Sequence, residues 1–171
     1  FENKTTGKVG LKHFHNNFTF STNYGTGYKV PTMNNLYAIS YGNPNLKPEF
    51  TKSFDITTGY KDFEIKYFNN KITDRIDYES TSPYQFKNHD GTSIIKGYEL
   101  NYKKDILDDL LLAISYAVID ANDKDGKTLG RVPEELLKVS LDYYGFKHTH
   151  INVNAQYTGD RWDLNDEPTN G

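Results

Sequence analysis

"LLLAISYAVID", residues Leu110–Asp120, sets Leu110, Leu112, Ile114, Tyr116 and Val118 on one face, against Leu111, Ala113, Ser115, Ala117 and Ile119 on the other. Strict alternation marks a strand, because successive side chains leave an extended backbone on opposite sides. The usual strand runs about five or six residues, whereas a tilted strand crossing a bilayer needs about 9–11. This run has the second length.

The pattern recurs along the chain. Phe18, Phe20, Thr22 and Tyr24 oppose Thr19, Ser21 and Asn23; Phe54, Ile56 and Tyr60 oppose Asp55, Thr57 and Gly59. Phe63, Ile65 and Tyr67 face away from Glu64 and Lys66, and Tyr98, Leu100 and Tyr102 from Glu99 and Asn101. Further on, Leu137, Val139, Leu141 and Tyr143 oppose Lys138, Ser140 and Asp142, and Ile151, Val153, Ala155 and Tyr157 oppose Asn152, Asn154 and Gln156. With a weaker strand near Val9–His13, the spacing predicts about eight strands and no helix. Short connections are expected at His15–Asn17, Lys61–Asp62, Lys104–Asp109 and Gly145–His148. Long ones are expected at Gly25–Lys52, Glu79–Ser93 and Asp120–Glu135, with another beginning at Gly159. This is the rhythm of an all-β, antiparallel, up-and-down meander with tight turns at one end and long loops at the other, as in transmembrane β-barrels.

Composition agrees. Only 36% of the 171 residues are apolar, yet aromatics reach 15%, with 14 Tyr and 10 Phe; disordered chains are poor in aromatics. A mean hydropathy of -0.77 fits thin apolar stripes separated by polar residues. A net charge of -3 offers no basic field for nucleic acid. No run is long and apolar enough for a membrane helix, "FENKTTGKVG" is no signal peptide and reads as cut from something longer, and the absence of Cys excludes a disulfide framework.

A soluble sandwich also alternates apolar and polar residues, and a carbohydrate-binding module of that kind is the competing reading. Three features favour the membrane barrel: strand length, tyrosines near strand ends (Tyr24, Tyr60, Tyr67, Tyr102, Tyr143, Tyr157), and Asn, Gln, Ser and Asp along the second face, suited to a wet lumen. Eight strands can close a small barrel. Here "WDLNDEPTNG" reads as a polar loop with no closing strand after it, so the expected object is an arc of a larger barrel.

Two longer stretches carry a resemblance. "FTFSTNYGTGYKVPTMNNLY" followed by "YGNPNLKPEFTKSFDITTGY" resembles the barrel of TonB-dependent outer-membrane receptors, and "IKYFNNKITDRIDY", "IIKGYELNY" and "LAISYAVIDANDKDGKTLGRVPEELLKVSLDY" continue it, with "RVPEE" departing from the family's usual form. Within the family, cobalamin receptors are slightly favoured over catecholate-siderophore and colicin-type receptors. The resemblance implies a barrel of about 22 strands around an N-terminal plug. Residues 1–171 would be part of its C-terminal half, without the plug and final strands. It further implies the outer membrane of a Gram-negative bacterium, contact with its lipid, coupling to the TonB complex through the plug, and a small metal-bearing ligand, cobalamin or a ferric siderophore, as cargo.

Candidate contacts lie in the expected outer loops: Tyr37, Tyr41, Tyr84, Phe86 and Trp162, since aromatic rings offer large area to flat ligands. Loop tyrosines equally brace loops or line the membrane interface. His89 falls in an expected long loop. His13 with His15, and His148 with His150, share faces but have no acidic partner at a fixed offset; they read as polar rim residues. "DANDKDGK" fails the EF-hand frame and reads as a hairpin tip turning at Asp125–Gly126, with Asp120, Asp123 and Asp125 as calcium ligands in the alternative. No catalytic constellation is present, so no enzyme and no cofactor are expected.

Overall fold

A computed structural model describes residues 5–162 and the backbone of 168–169. The alternating segments form eight strands: β1 (Lys8–His15), β2 (Phe18–Lys29), β3 (Glu49–Tyr60), β4 (Phe63–Tyr78), β5 (Phe86–Leu107), β6 (Leu110–Asn122), β7 (Glu135–Phe146) and β8 (Thr149–Thr158). They pair antiparallel, each with its sequence neighbours, in one sheet ordered β1 to β8. A separate two-residue pair joins β9 (Arg161–Trp162) to β10 (Pro168–Thr169). The latter lies inside the expected polar loop, most of which falls outside the described residues.

Register explains the faces. Ile65 lies opposite Leu100, Leu100 opposite Tyr116, Tyr116 opposite Leu137, and Leu137 opposite Tyr157, so one apolar row runs unbroken across five strands. Toward the short turns a second row is aromatic. Phe18 and Tyr60 have ring centroids 4.5 Å apart, and Phe63 and Tyr102 4.6 Å. The opposite face carries polar ladders: Asn23 donates to Asp55 (2.8 Å), Asn101 to Glu99 (3.0 Å), and Asn152 and Ser140 to Asp142 (2.8 and 2.9 Å).

The apolar rows are bare. Tyr98 is 63% exposed and Val153 60%, while among the described residues, Pro31 aside, only Leu36, Leu46, Ala121 and Leu129 are buried apolar side chains. Three of those four sit in connections at the long-loop end, and Ala121 at the adjoining end of β6. A soluble sandwich buries its apolar face against a second sheet about 10 Å away. The described residues contain one large sheet and no such layer. The apolar face is therefore suited to hydrocarbon, and the polar face to a lumen.

Two expectations change. A helix was not expected, but α1 (Met33–Tyr37) forms one turn, closed by a reciprocal capping box between Thr32 and Asn35. Five residues are too few to display a helical period. The ladder also reaches further than the alternation: Glu79–Ser93 was expected as a loop, yet β4 runs to Tyr78 and β5 resumes at Phe86, leaving a connection of 79–85. Asp74 (φ 56°) and Gly91 (φ 87°) lie at the cause, a register shift between Thr73 and Arg75. A bulge breaks the period of two without ending the pairing.

The assigned faces give a direct test in the full-length protein. Leu112→Lys or Ile114→Lys places an ammonium in the apolar rows, at a cost that rises with depth toward about 2–4 kcal/mol at mid-membrane, and reduces the heat-modifiable form in outer-membrane fractions. Asn152→Lys, beside Asp142 on the polar face, leaves it unchanged. Equal assembly of all three variants contradicts the facing.

Candidate functional site

The only large construction outside the sheet lies at the long-loop end, among the described residues. Beyond the Asp74 bulge, β4 and β5 continue as a ribbon from the Arg75–His89 pair to the Tyr78–Phe86 pair. Its two faces do different things.

One face holds down the 30–48 connection. Tyr41, Tyr78 and Phe86 meet edge to face, with centroids 5.8–6.3 Å apart, a favourable arrangement for aromatic quadrupoles. Around them Phe86 N–H donates to the Tyr41 carbonyl (2.9 Å) and Asn43 Nδ2 to the Phe86 carbonyl (2.9 Å). Lys47 N–H donates to Asn88 Oδ1 (2.8 Å), and Asn88 Nδ2 returns bonds to the carbonyls of Lys47 and Asp74 (2.9 and 2.7 Å). Glu49 accepts from Ile76 N–H (2.8 Å) and lies 3.4 Å from Lys29 Nζ. Each polar residue of "NPNLKPE" that contacts the ribbon thus has a distinct partner, and Leu46 is buried between them.

The other face opens on a cleft of about 330 Å³ lined by Arg75, Asp77, His89, Asp123, Lys127 and Trp162, among others. Arg75 is anchored twice: Nη1 to Asp77 Oδ2 at 2.6 Å, and Nε to Ser93 Oγ at 3.2 Å, Ser93 being buried. Charge-assisted bonds of this length fix a guanidinium firmly. His89 Nε2 is buried with no hydrogen-bond partner. Burial, and then the charges of Arg75 and Lys87, hold the imidazole below its usual 6.5 and keep it neutral. Across the cleft, Trp162 donates Nε1–H to Glu134 (3.4 Å) while its carbonyl accepts from Arg131 N–H (2.7 Å).

The expected contact residues separate. Trp162 lines the cleft. Tyr41 and Phe86 come together, but in packing that braces the connection, and Phe86 belongs to a strand. Tyr37 and Tyr84 are 64% and 57% exposed and join neither group. His89 also lies on β5, not in a loop. Arg75 and Asp77 were passed over, although "DRID" places them two apart and so on one side of a strand.

The aspartates do not converge. Asp120 pairs with Lys96 (3.1 Å). Asp123 accepts from the N–H groups of Asp125 and Lys127 (both 2.9 Å), shaping the turn at Gly126 (φ 81°). Asp125 contacts Lys124 (3.8 Å). Among the described residues no three His, Cys, Asp or Glu side chains are placed to hold a metal. His150, which has no acidic partner at a fixed sequence offset, meets Asp142 of the neighbouring strand at 2.9 Å.

Comparison with known proteins accords with this architecture. Residues 1–171 match the family model of the TonB dependent receptor-like β-barrel. The vitamin B12 transporter BtuB of Vibrio cholerae serotype O1 is 33% identical over 172 residues, covering 96% of this chain and 27% of that protein. The chain thus spans about a quarter of that relative's length. Among solved structures, the ferric enterobactin receptor PfeA of Pseudomonas aeruginosa superimposes with a TM-score of 0.72 at 17% identity, over 97% of this chain and 30% of that one. The siderophore receptor PirA of Acinetobacter baumannii gives 0.70 at 16%, over 91% and 29%. One antiparallel sheet with a bare apolar face, long loops gathered at one end and a family match over its whole length place this chain in the TonB-dependent receptor β-barrel family.

Proposed function

We propose that the chain forms wall and outer mouth of a TonB-dependent transporter in the outer membrane of a Gram-negative bacterium, importing a scarce metal-bearing nutrient. Cobalamin is slightly favoured over a ferric siderophore. The observation that carries this reading is the polar cleft at the end of a lipid-suited wall: Arg75, Asp77, His89 and Trp162 combine a fixed cation, an anion, a neutral imidazole and an indole on one surface. The preference for cobalamin rests on the vitamin B12 transporter relative; the siderophore receptors share the fold at much lower identity.

In this scheme the outer loops capture ligand, and energised TonB acts through a plug to release it inward. The wall positions the cleft and does not move. Glu64, Lys66, Asp55, Glu99 and Asp142, on the polar face, hydrate the lumen or brace the plug. Trp162 is the one expected contact that lies in the cleft; Tyr37 and Tyr84 remain exposed for a ligand that extends beyond it.

Growth of a deletion strain carrying the full-length gene on a plasmid separates the ligands. Loss of growth on limiting cobalamin, restored by the wild-type gene, is expected. Arg75→Ala and Trp162→Ala raise the cobalamin concentration needed for half-maximal growth by about tenfold, the scale of a buried Arg or Trp anchor. A defect confined to limiting iron transfers the reading to siderophores, and a defect on neither contradicts both.

His89 adds a pH test. Its lowered value means the unfolded imidazole binds a proton more readily than the folded one. The cleft's order is therefore complete above about pH 6.5 and declines as pH falls from there through the lower folded value. Hydrogen exchange of amides 75–77 and 87–89, corrected for intrinsic rate, should quicken across that window, and His89→Gln should abolish the dependence. A profile identical in wild type and variant contradicts the assignment.

A further inference from the structure

On the apolar side of the sheet, Lys52 of β3 lies directly opposite Lys71 of β4. Like charges facing each other across a ladder destabilise the pair. Some other lysines of the sheet meet an acid: Lys96 meets Asp120 (3.1 Å), Lys29 meets Glu49 (3.4 Å), and Lys104 meets Asp62 (3.6 Å). Lys52 and Lys71 have no acidic partner among the described residues. They border a groove of about 520 Å³ whose other side chains include Tyr24, Phe54, Tyr67 and Asn69.

Height matters. Along each strand the lysine is two residues nearer the long loops than Phe54 on β3 and Asn69 on β4, and the next step down reaches Ile56 and Tyr67, in the apolar band. Each two-residue step is about 6.6 Å. The lysines thus lie near the long-loop end of the band, one step below Phe50 and Tyr28, at the height where headgroups of the outer leaflet begin, and their aliphatic stems cover the aromatics below.

We propose that Lys52 and Lys71 form a phosphate site for an outer-leaflet lipid, its acyl chains lying over Tyr24, Phe54 and Tyr67. Two unpaired ammonium groups match the charge of about -1.5 to -2 on a phosphate monoester, so a lipid bearing such a group is the occupant. Binding relieves the Lys52–Lys71 repulsion and fastens the wall at one depth. The inference rests on the membrane reading, and assembly of the wild-type receptor, measured by heat-modifiable mobility, checks that reading separately.

The test uses the full-length receptor in detergent, titrated with bis-phosphorylated lipid A and observed by native mass spectrometry. Lys52→Gln/Lys71→Gln should weaken retention roughly 10- to 30-fold, as expected for two lysines at a charged membrane surface. Lys52→Arg/Lys71→Arg should keep it, and Lys61→Gln, at a short turn, should not alter it. Lipid A stripped of its phosphates should bind no better than the Gln variant does. Unchanged retention in the Gln variant, equal retention of dephosphorylated lipid, or displacement of lipid by equimolar inorganic phosphate overturns the proposal.

Discussion

A peptide group in hydrocarbon has no water to bond, so every N–H and C=O of a spanning strand must find another peptide group. The rest of this structure depends on that requirement. Eight strands joined in sequence order satisfy it between neighbours, and the period of two then sends each strand's apolar residues to one side. Continuity across strands matters as much as alternation within them. The Ile65–Leu100–Tyr116–Leu137–Tyr157 row exists because every register is compatible with it. A one-residue slip of β5 on β4, or of β8 on β7, would put Asn or Lys into the band. The outer edges of β1 and β8 do not meet, consistent with an arc of the family's larger barrel.

The same ladder becomes a different object above the Asp74 bulge. Below it, one side is lipid-suited and the other polar. Above it, both sides of the β4–β5 ribbon are used by protein: one grips the 30–48 connection, and the other forms the Arg75–His89 cleft. The "NPNLKPE" segment is therefore more than a turn. Asn43, Lys47 and Glu49 bond the ribbon, and the proline positions need no N–H donor. This gives the wall a rigid rim, the setting in which a binding surface is best preorganised.

What the sequence disclosed follows from range. Strand number, order, tight turns and facing are consequences of local alternation, and all were legible; so was the family, through motifs spread over most of the chain. The extended β4–β5 ribbon was not, because the bulge erased the period between Thr73 and Arg75. The site was only partly legible. Aromatic loop residues are chemically attractive anywhere, but Tyr41 and Phe86 meet each other, an outcome set by a pairing 45 residues apart in sequence. Arg75 acquires its meaning from Ser93 and His89 on the neighbouring strand, which no pattern within "ITDRIDY" could reveal.

The central claim is that a single sheet divides lipid from lumen residue by residue. Nitroxide labels at Tyr98, Leu100 and Val118, and at Glu99, Asn101 and Ala117, in the full-length receptor within outer-membrane vesicles test it most directly. The first set should be relaxed mainly by dissolved oxygen, which partitions into lipid, and the second mainly by a water-soluble nickel chelate. Alternation of the two along β5 and β6 is the predicted result. Uniform accessibility to the chelate, or the opposite alternation, would contradict the account.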